Sequence, residues 1–129
     1  MSGVVLDASA LLALLLDEPG ATRVKDALDG SMMSTVNLAE VVSYYAKLGA
    51  GRAEIQEMLR GLPIRYASDD PDLAHEVGML RPVTLAAGLS LGDRYCLALA
   101  KREDRNALTG ERRWTQVAAS AGVGVELIR

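Results

Sequence analysis

Residues 2–20 read SGVVLDASALLALLLDEPG, and this stretch decides the fold. Val4, Val5 and Leu6 make a short all-apolar run of the kind buried on both faces of a parallel sheet. Asp7 follows at once, and Ala8 to Leu16 is then apolar at every position but Ser9. A helix apolar on all sides packs on the sheet and against something else as well. Asp7 therefore stands between two segments that demand burial, where an unpaired carboxylate is costly or gives up its charge.

Working outward, the chain alternates strand and helix signals. Gly20 to Asp29 carries Ala21, Val24 and Leu28 at helical spacing and stops at Gly30. SMMST (31–35) is a short buried strand, and Asn37 opens a helix with Leu38, Val41, Val42, Tyr45 and Leu48 inward until Gly49. Arg52 to Gly61 repeats the pattern with Ile55, Met58 and Leu59. Pro63 to Tyr66 is a strand near an edge, because proline donates no ladder hydrogen bond. Asp70-Pro71 caps a helix that Leu73, Val77 and Leu80 continue to Arg81-Pro82. Ser90 to Ala100 is an apolar helix, NALT (106–109) a strand, Glu111 to Ser120 a helix and VGVELI (123–128) a last strand. The pattern predicts one α/β domain over residues 1–129, a parallel sheet of four or five strands flanked by helices, with the first strand central.

The totals agree with a globular domain: half of the 129 residues are hydrophobic and 24% charged. A net charge of -3 gives the molecule as a whole no attraction to nucleic acid, so a polyanion would have to meet local cations. The single cysteine, Cys96, excludes an internal disulfide and fits a reducing cytoplasm as a small buried hydrophobe. No Lys or Arg precedes the opening apolar run and no cleavage-like site follows it, so it is not read as a signal peptide, and no stretch approaches membrane-spanning length.

In a parallel sheet every strand delivers its carboxyl end to one edge, and ligands bind where strand order reverses. Asp7 closes the first strand, Glu40 lies one turn into the helix after SMMST, Asp93 begins the helix of SLGDRYCLALA (90–100), and Glu111 opens the helix after NALT. Four carboxylates gathered there repel and raise one another's pKa unless cations compensate, and the hard divalent ions Mg²⁺ and Mn²⁺ suit carboxylate oxygens. A plainer reading competes: Asn37-x-x-Glu40 and Ser90-x-x-Asp93 both have capping-box spacing. Asp7 resists it.

These residues resemble a PIN domain, and the chain is similar over nearly its whole length to the VapC toxins of bacterial toxin–antitoxin pairs. The resemblance lies in VVLDASALLALLLDEPG (4–20), STVNLAEVV (34–42), LSLGDRYCLALA (89–100) and ALTGERRW (107–114), four blocks in order at compatible spacing. Two positions depart from the family's pattern: Glu111 stands where Asp is usual, and Arg113 where many relatives add another acid.

The resemblance implies a three-layer PIN-like fold and a Mg²⁺-dependent endoribonuclease, with Mn²⁺ as substitute, that leaves a 5′-phosphate on the cut RNA. Asp7 and Asp93 would be the principal metal ligands, Glu40 and Glu111 would complete the acidic pocket, and Ser9 and Thr109 would support it by hydrogen bonding. Arg94, Arg112 and Arg113 lie beside these acids and are candidates for flanking phosphates. His75 and Trp114 are read as structural. The resemblance also implies a homodimer and a small antitoxin, docked in an apolar groove formed by the Leu11–Leu16 stretch and the helix from Arg52 to Leu62. The alternative is a catalytically inactive PIN-like module, its acids kept as caps and its apolar surface bound to a partner.

Overall fold

The computed structural model describes residues 3–129. β1 (Val4–Leu6) is the middle strand of a five-stranded sheet. β2 (Ser31–Ser34) and then β3 (Ile64–Ala67) lie to one side of it, β4 (Asn106–Thr109) and β5 (Val125–Leu127) to the other. Every pairing is parallel; Val5 is level with Met32 on β2 and Leu6 with Leu108 on β4. The proline-led strand is at the edge, as its missing donor requires.

Side-chain alternation divides the core in two. Val4, Leu6, Met33 and Leu108 face α1 (Ala8–Leu15), α2 (Ala21–Ala27) and α3 (Thr35–Lys47). Val5, Met32 and Ala107 face α5 (Pro71–Met79) and α7 (Leu91–Arg102). α4 (Arg52–Leu59) packs beside α3, and the one-turn α6 (Arg81–Thr84) follows α5. Leu6, Leu11, Leu97, Leu99 and Leu108 are wholly buried. At about 2 kcal/mol for each such side chain, this core outweighs the cost of one acid held at the sheet's edge. Among the described residues no helix is long and apolar enough to cross a membrane.

Two boundaries differ from the sequence reading. α3 begins at Thr35, because the Ser34 hydroxyl accepts the Val36 and Asn37 N–H groups and is the cap; Asn37 is thereby inside the helix. The segment expected as one helix over 111–120 is a 3₁₀ turn (Arg112–Gln116) followed by α8 (Ala118–Ala121). The Trp114 N–H bonds the Glu111 carbonyl at 3.2 Å and the Val117 N–H the Trp114 carbonyl at 3.1 Å, the i→i+3 pattern of a 3₁₀ turn. In α1, Leu12, Leu14 and Leu15 are half-buried against the first core while Leu11 is fully inside it.

Candidate active site

From β3 the chain crosses back past β1 to β4, so the strand order reverses at β1 and β4, and their carboxyl ends open the crevice where α/β sheets bind ligands. Asp7 is the first residue beyond β1, and its N–H bonds the Leu108 carbonyl of β4 at 3.0 Å. Its side chain is 3% exposed and makes no cap bond to α1. Instead Oδ2 accepts the Ser9 hydroxyl at 2.7 Å and the Thr109 hydroxyl at 2.9 Å. Each hydroxyl is itself an acceptor, Ser9 Oγ from the Gly110 N–H at 2.9 Å and Thr109 Oγ1 from the Glu111 N–H at 3.0 Å. Those backbone donors turn both hydroxyl protons toward Asp7.

Asp93 enters from the first turn of α7. Its Oδ2 accepts the Ser90 N–H at 2.8 Å while Ser90 Oγ accepts the Asp93 N–H at 3.2 Å, a reciprocal capping box. The capping reading thus holds for Asp93 and fails for Glu40. Asn37, wholly buried in α3, donates through Nδ2 to Glu40 Oε1 at 2.8 Å and to the Gly92 carbonyl at 3.0 Å. The Glu40 carboxylate rests over Gly92, where a Cβ would push it from its present position. Sequence reasoning took Asn37 for a cap and missed this role; the signal was there, since residues three apart share a helix face.

The electrostatics show which acids share a field. Burial raises Asp7 most and Asp93 and Glu40 raise it further; the Ser9 and Thr109 bonds oppose them, and the carboxyl settles at about 6. Glu40 is raised by burial first and then by Asp93, against its Asn37 bond. The Cys96 thiol is pushed well up by burial, with Asp7, Asp93 and Glu40 adding to it. Asp7, Asp93 and Glu40 therefore converge. Glu111 is not among the charges acting on Asp7 or Glu40; it stands at the start of the 3₁₀ turn with no side-chain cap bond.

The three arginines part company. Arg94 is 7% exposed and its Nη1 donates to the Val77 carbonyl of α5 at 3.1 Å, so the expected phosphate contact is corrected: this guanidinium is a buried brace between α5 and α7. Arg113 Nη2 lies 3.7 Å from Asp93 Oδ2, and Arg112 is exposed beside it. His75 is exposed on α5, bonded to the Pro71 carbonyl, and Trp114 is wholly buried.

Among the described residues no three His, Cys, Asp or Glu side chains are grouped tightly enough to enclose a metal ion. The donor chemistry still fits a hard divalent cation: the converging groups are carboxylates, and the charge of Asp93 raises both Asp7 and Glu40. Mg²⁺ keeps several waters and takes one or two carboxylates with phosphate oxygens, so it needs no closed cage.

The expected groove is corrected at one wall: an apolar groove runs between α3 and α4, lined by Leu38, Val42, Ala46, Ile55 and Leu59, whereas Leu11 is buried in the core and Leu12, Leu14 and Leu15 pack against it. On the α5–α7 side Met79, Leu85 and Leu91 are exposed.

Comparison with solved structures finds the same fold. A toxin–antitoxin complex from Klebsiella pneumoniae matches at a TM-score of 0.73 and 20% identity, covering 98% of each chain. DNA-bound VapBC from Salmonella typhimurium matches at 0.76 and 15%, covering 100% of both. FitAcB from Neisseria gonorrhoeae matches at 0.72 and 21%, covering 95% of both. No curated protein matches by sequence. The family model of the PIN domain matches residues 4–120, from the first strand through nearly all of α8. The acids of the crevice lie within that span, and the chain belongs to the PIN domain family.

Proposed function

We propose that the protein is a Mg²⁺- or Mn²⁺-dependent endoribonuclease, the toxin of a toxin–antitoxin pair, acting on RNA in the cytoplasm. The observation that carries the reading is Asp7, buried at the switch point, raised to about 6 and facing Asp93 and Glu40.

A divalent cation bound there supplies Lewis acidity and neutralises charge that develops during phosphodiester hydrolysis. Asp7 and Asp93 are the principal ligands in this reading and Glu40 extends the acidic rim; Glu111, expected to complete the pocket, is not among the charges acting on Asp7 or Glu40. The chain's own part is orientation. Ser9 and Thr109 hold Oδ2 of Asp7, the Ser90 cap fixes Asp93, and Asn37 holds Glu40, so the carboxylates need little rearrangement on meeting an ion. Arg113, paired with Asp93, and Arg112, exposed next to it in the chain, are the candidates for bidentate contact with RNA phosphates.

The antitoxin fits the α3–α4 groove, whose apolar lining suits the apolar face of a partner helix. The names of the similar structures, a toxin–antitoxin complex and VapBC among them, support such a partner. A homodimer would cover exposed apolar side chains such as Met79, Leu85 and Leu91.

The inactive-module reading keeps one observation in its favour, that the cap and Arg113 account for the Asp93 carboxylate without any ion. Digestion of total RNA with Mg²⁺ and with chelator, followed by end mapping, decides. Cuts that need the ion and carry 5′-phosphates support the nuclease; intact RNA, or cyclic 2′,3′-phosphate ends formed in chelator, overturns it.

A further inference from the structure

Among the described residues one basic side chain stands within ion-pair reach of the converging acids. Arg113 Nη2 is 3.7 Å from Asp93 Oδ2, the oxygen that already accepts the Ser90 N–H. The guanidinium sits over Gly88, whose φ of 71° marks a tight turn; a Cβ at that position would lie 3.9 Å from Nη1. Arg113 is thus flanked by the turn before α7 and by the first turn of α7 itself. It is 45% exposed and Asp93 13%, which puts the cation at the mouth of the pocket rather than on its floor.

We propose that Arg113 is an internal competitor for the divalent cation, holding Asp93 in the ion-free protein and yielding it when the ion arrives. The argument is one of charge. Asp7, Glu40 and Asp93 repel, and a guanidinium at Asp93 relieves part of that repulsion. An ion entering the same field must displace this relief, so its apparent affinity is lower by the worth of the pair. Once displaced, the guanidinium remains at the mouth, where it is free for a phosphate oxygen. The inference rests on the cation-dependent reading of the site.

Calorimetric titration of Mn²⁺ into the full chain, Arg113→Ala, Arg113→Lys and Asp7→Asn separates the two. A half-exposed ion pair is worth up to about 1 kcal/mol, so Arg113→Ala is expected to bind Mn²⁺ about three- to fivefold more tightly, with the gap closing as salt rises. Arg113→Lys, which keeps the charge, should stay near the parent affinity. Equal affinity of Arg113→Ala and parent, with binding lost in Asp7→Asn, overturns the competitor while leaving the metal site standing. No Mn²⁺ binding by any of the four proteins overturns the site and the competitor together.

Discussion

Thr109 donates its hydroxyl to Asp7 Oδ2 at 2.9 Å, a bond between residues 102 positions apart in the chain. It ties the end of β4 to the residue that follows β1, and with Ser9 it holds Asp7 at about 6 against a burial effect that would push it higher. A hydrogen bond to a charged acceptor contributes about 1.5–3 kcal/mol, or about one to two pKa units. Thr109→Val keeps the shape and removes the donor. The pH at which Mn²⁺ affinity is half lost should therefore rise by about one unit in this variant; an unchanged midpoint would show that the bond does not tune Asp7.

Asp7 also sets a pH dependence of stability. Its folded pKa is raised from 3.8 to about 6, so between those values the folded chain keeps a proton that the unfolded chain has lost. Stability from this group is full below about 4, falls as pH rises to about 6 and stays low above, with a total of roughly 2–3 kcal/mol. In metal-free protein at alkaline pH, Asp7→Asn should accordingly melt several degrees higher than the parent, and the difference should vanish in acid. Equal melting temperatures at both ends would contradict a strained carboxylate.

An ion that relieves the repulsion should stabilise the fold. At a Mn²⁺ concentration 100 times its Kd the gain is about 2.7 kcal/mol, visible as a rise in Tm that chelator reverses. Asp7→Asn should lose most of that rise. A parent protein whose Tm ignores Mn²⁺ would argue against a cation in the pocket.

Asn37 joins Glu40 to Gly92 from a fully buried position. Asn37→Ala leaves the Gly92 carbonyl without this donor and frees the Glu40 carboxylate, at about 1–3 kcal/mol in stability. If Asn37 positions Glu40, Mn²⁺ affinity should fall as well, which a purely structural residue would not produce. Denaturant unfolding and calorimetry on the same variant give both numbers.

Most of the sheet was legible in the sequence because its strands are short apolar runs bounded by Gly, Pro or Asp. Parallel burial then forced Val4–Leu6 to the centre and the proline-led strand to the edge. Asp7 was legible for the same reason, since it ends a parallel strand, and Glu40 follows from the helix after β2; Asp93 comes instead from the start of the helix that leads back to β4. What escaped was local competition for hydrogen bonds. The Ser34 hydroxyl took the cap that Asn37 was expected to supply, and the last helix is broken by three-residue turns, in which the Trp114 N–H bonds the Glu111 carbonyl and the Val117 N–H the Trp114 carbonyl. Arg94 escaped because position next to an acid in sequence says nothing about helix face. One residue on from Asp93 its side chain turns roughly 100° around the helix and braces Val77 instead.

The central claim, that scattered carboxylates are drawn together to hold an ion that cuts RNA, is tested most directly by cleavage assays on the parent, Asp7→Asn and Asp93→Asn. Circular dichroism establishes that all three are folded. The parent should cleave RNA in Mg²⁺ and not in chelator, and each variant should lose at least about a hundredfold of that rate. Undiminished Mg²⁺-dependent cleavage by folded Asp7→Asn and Asp93→Asn would contradict the assignment.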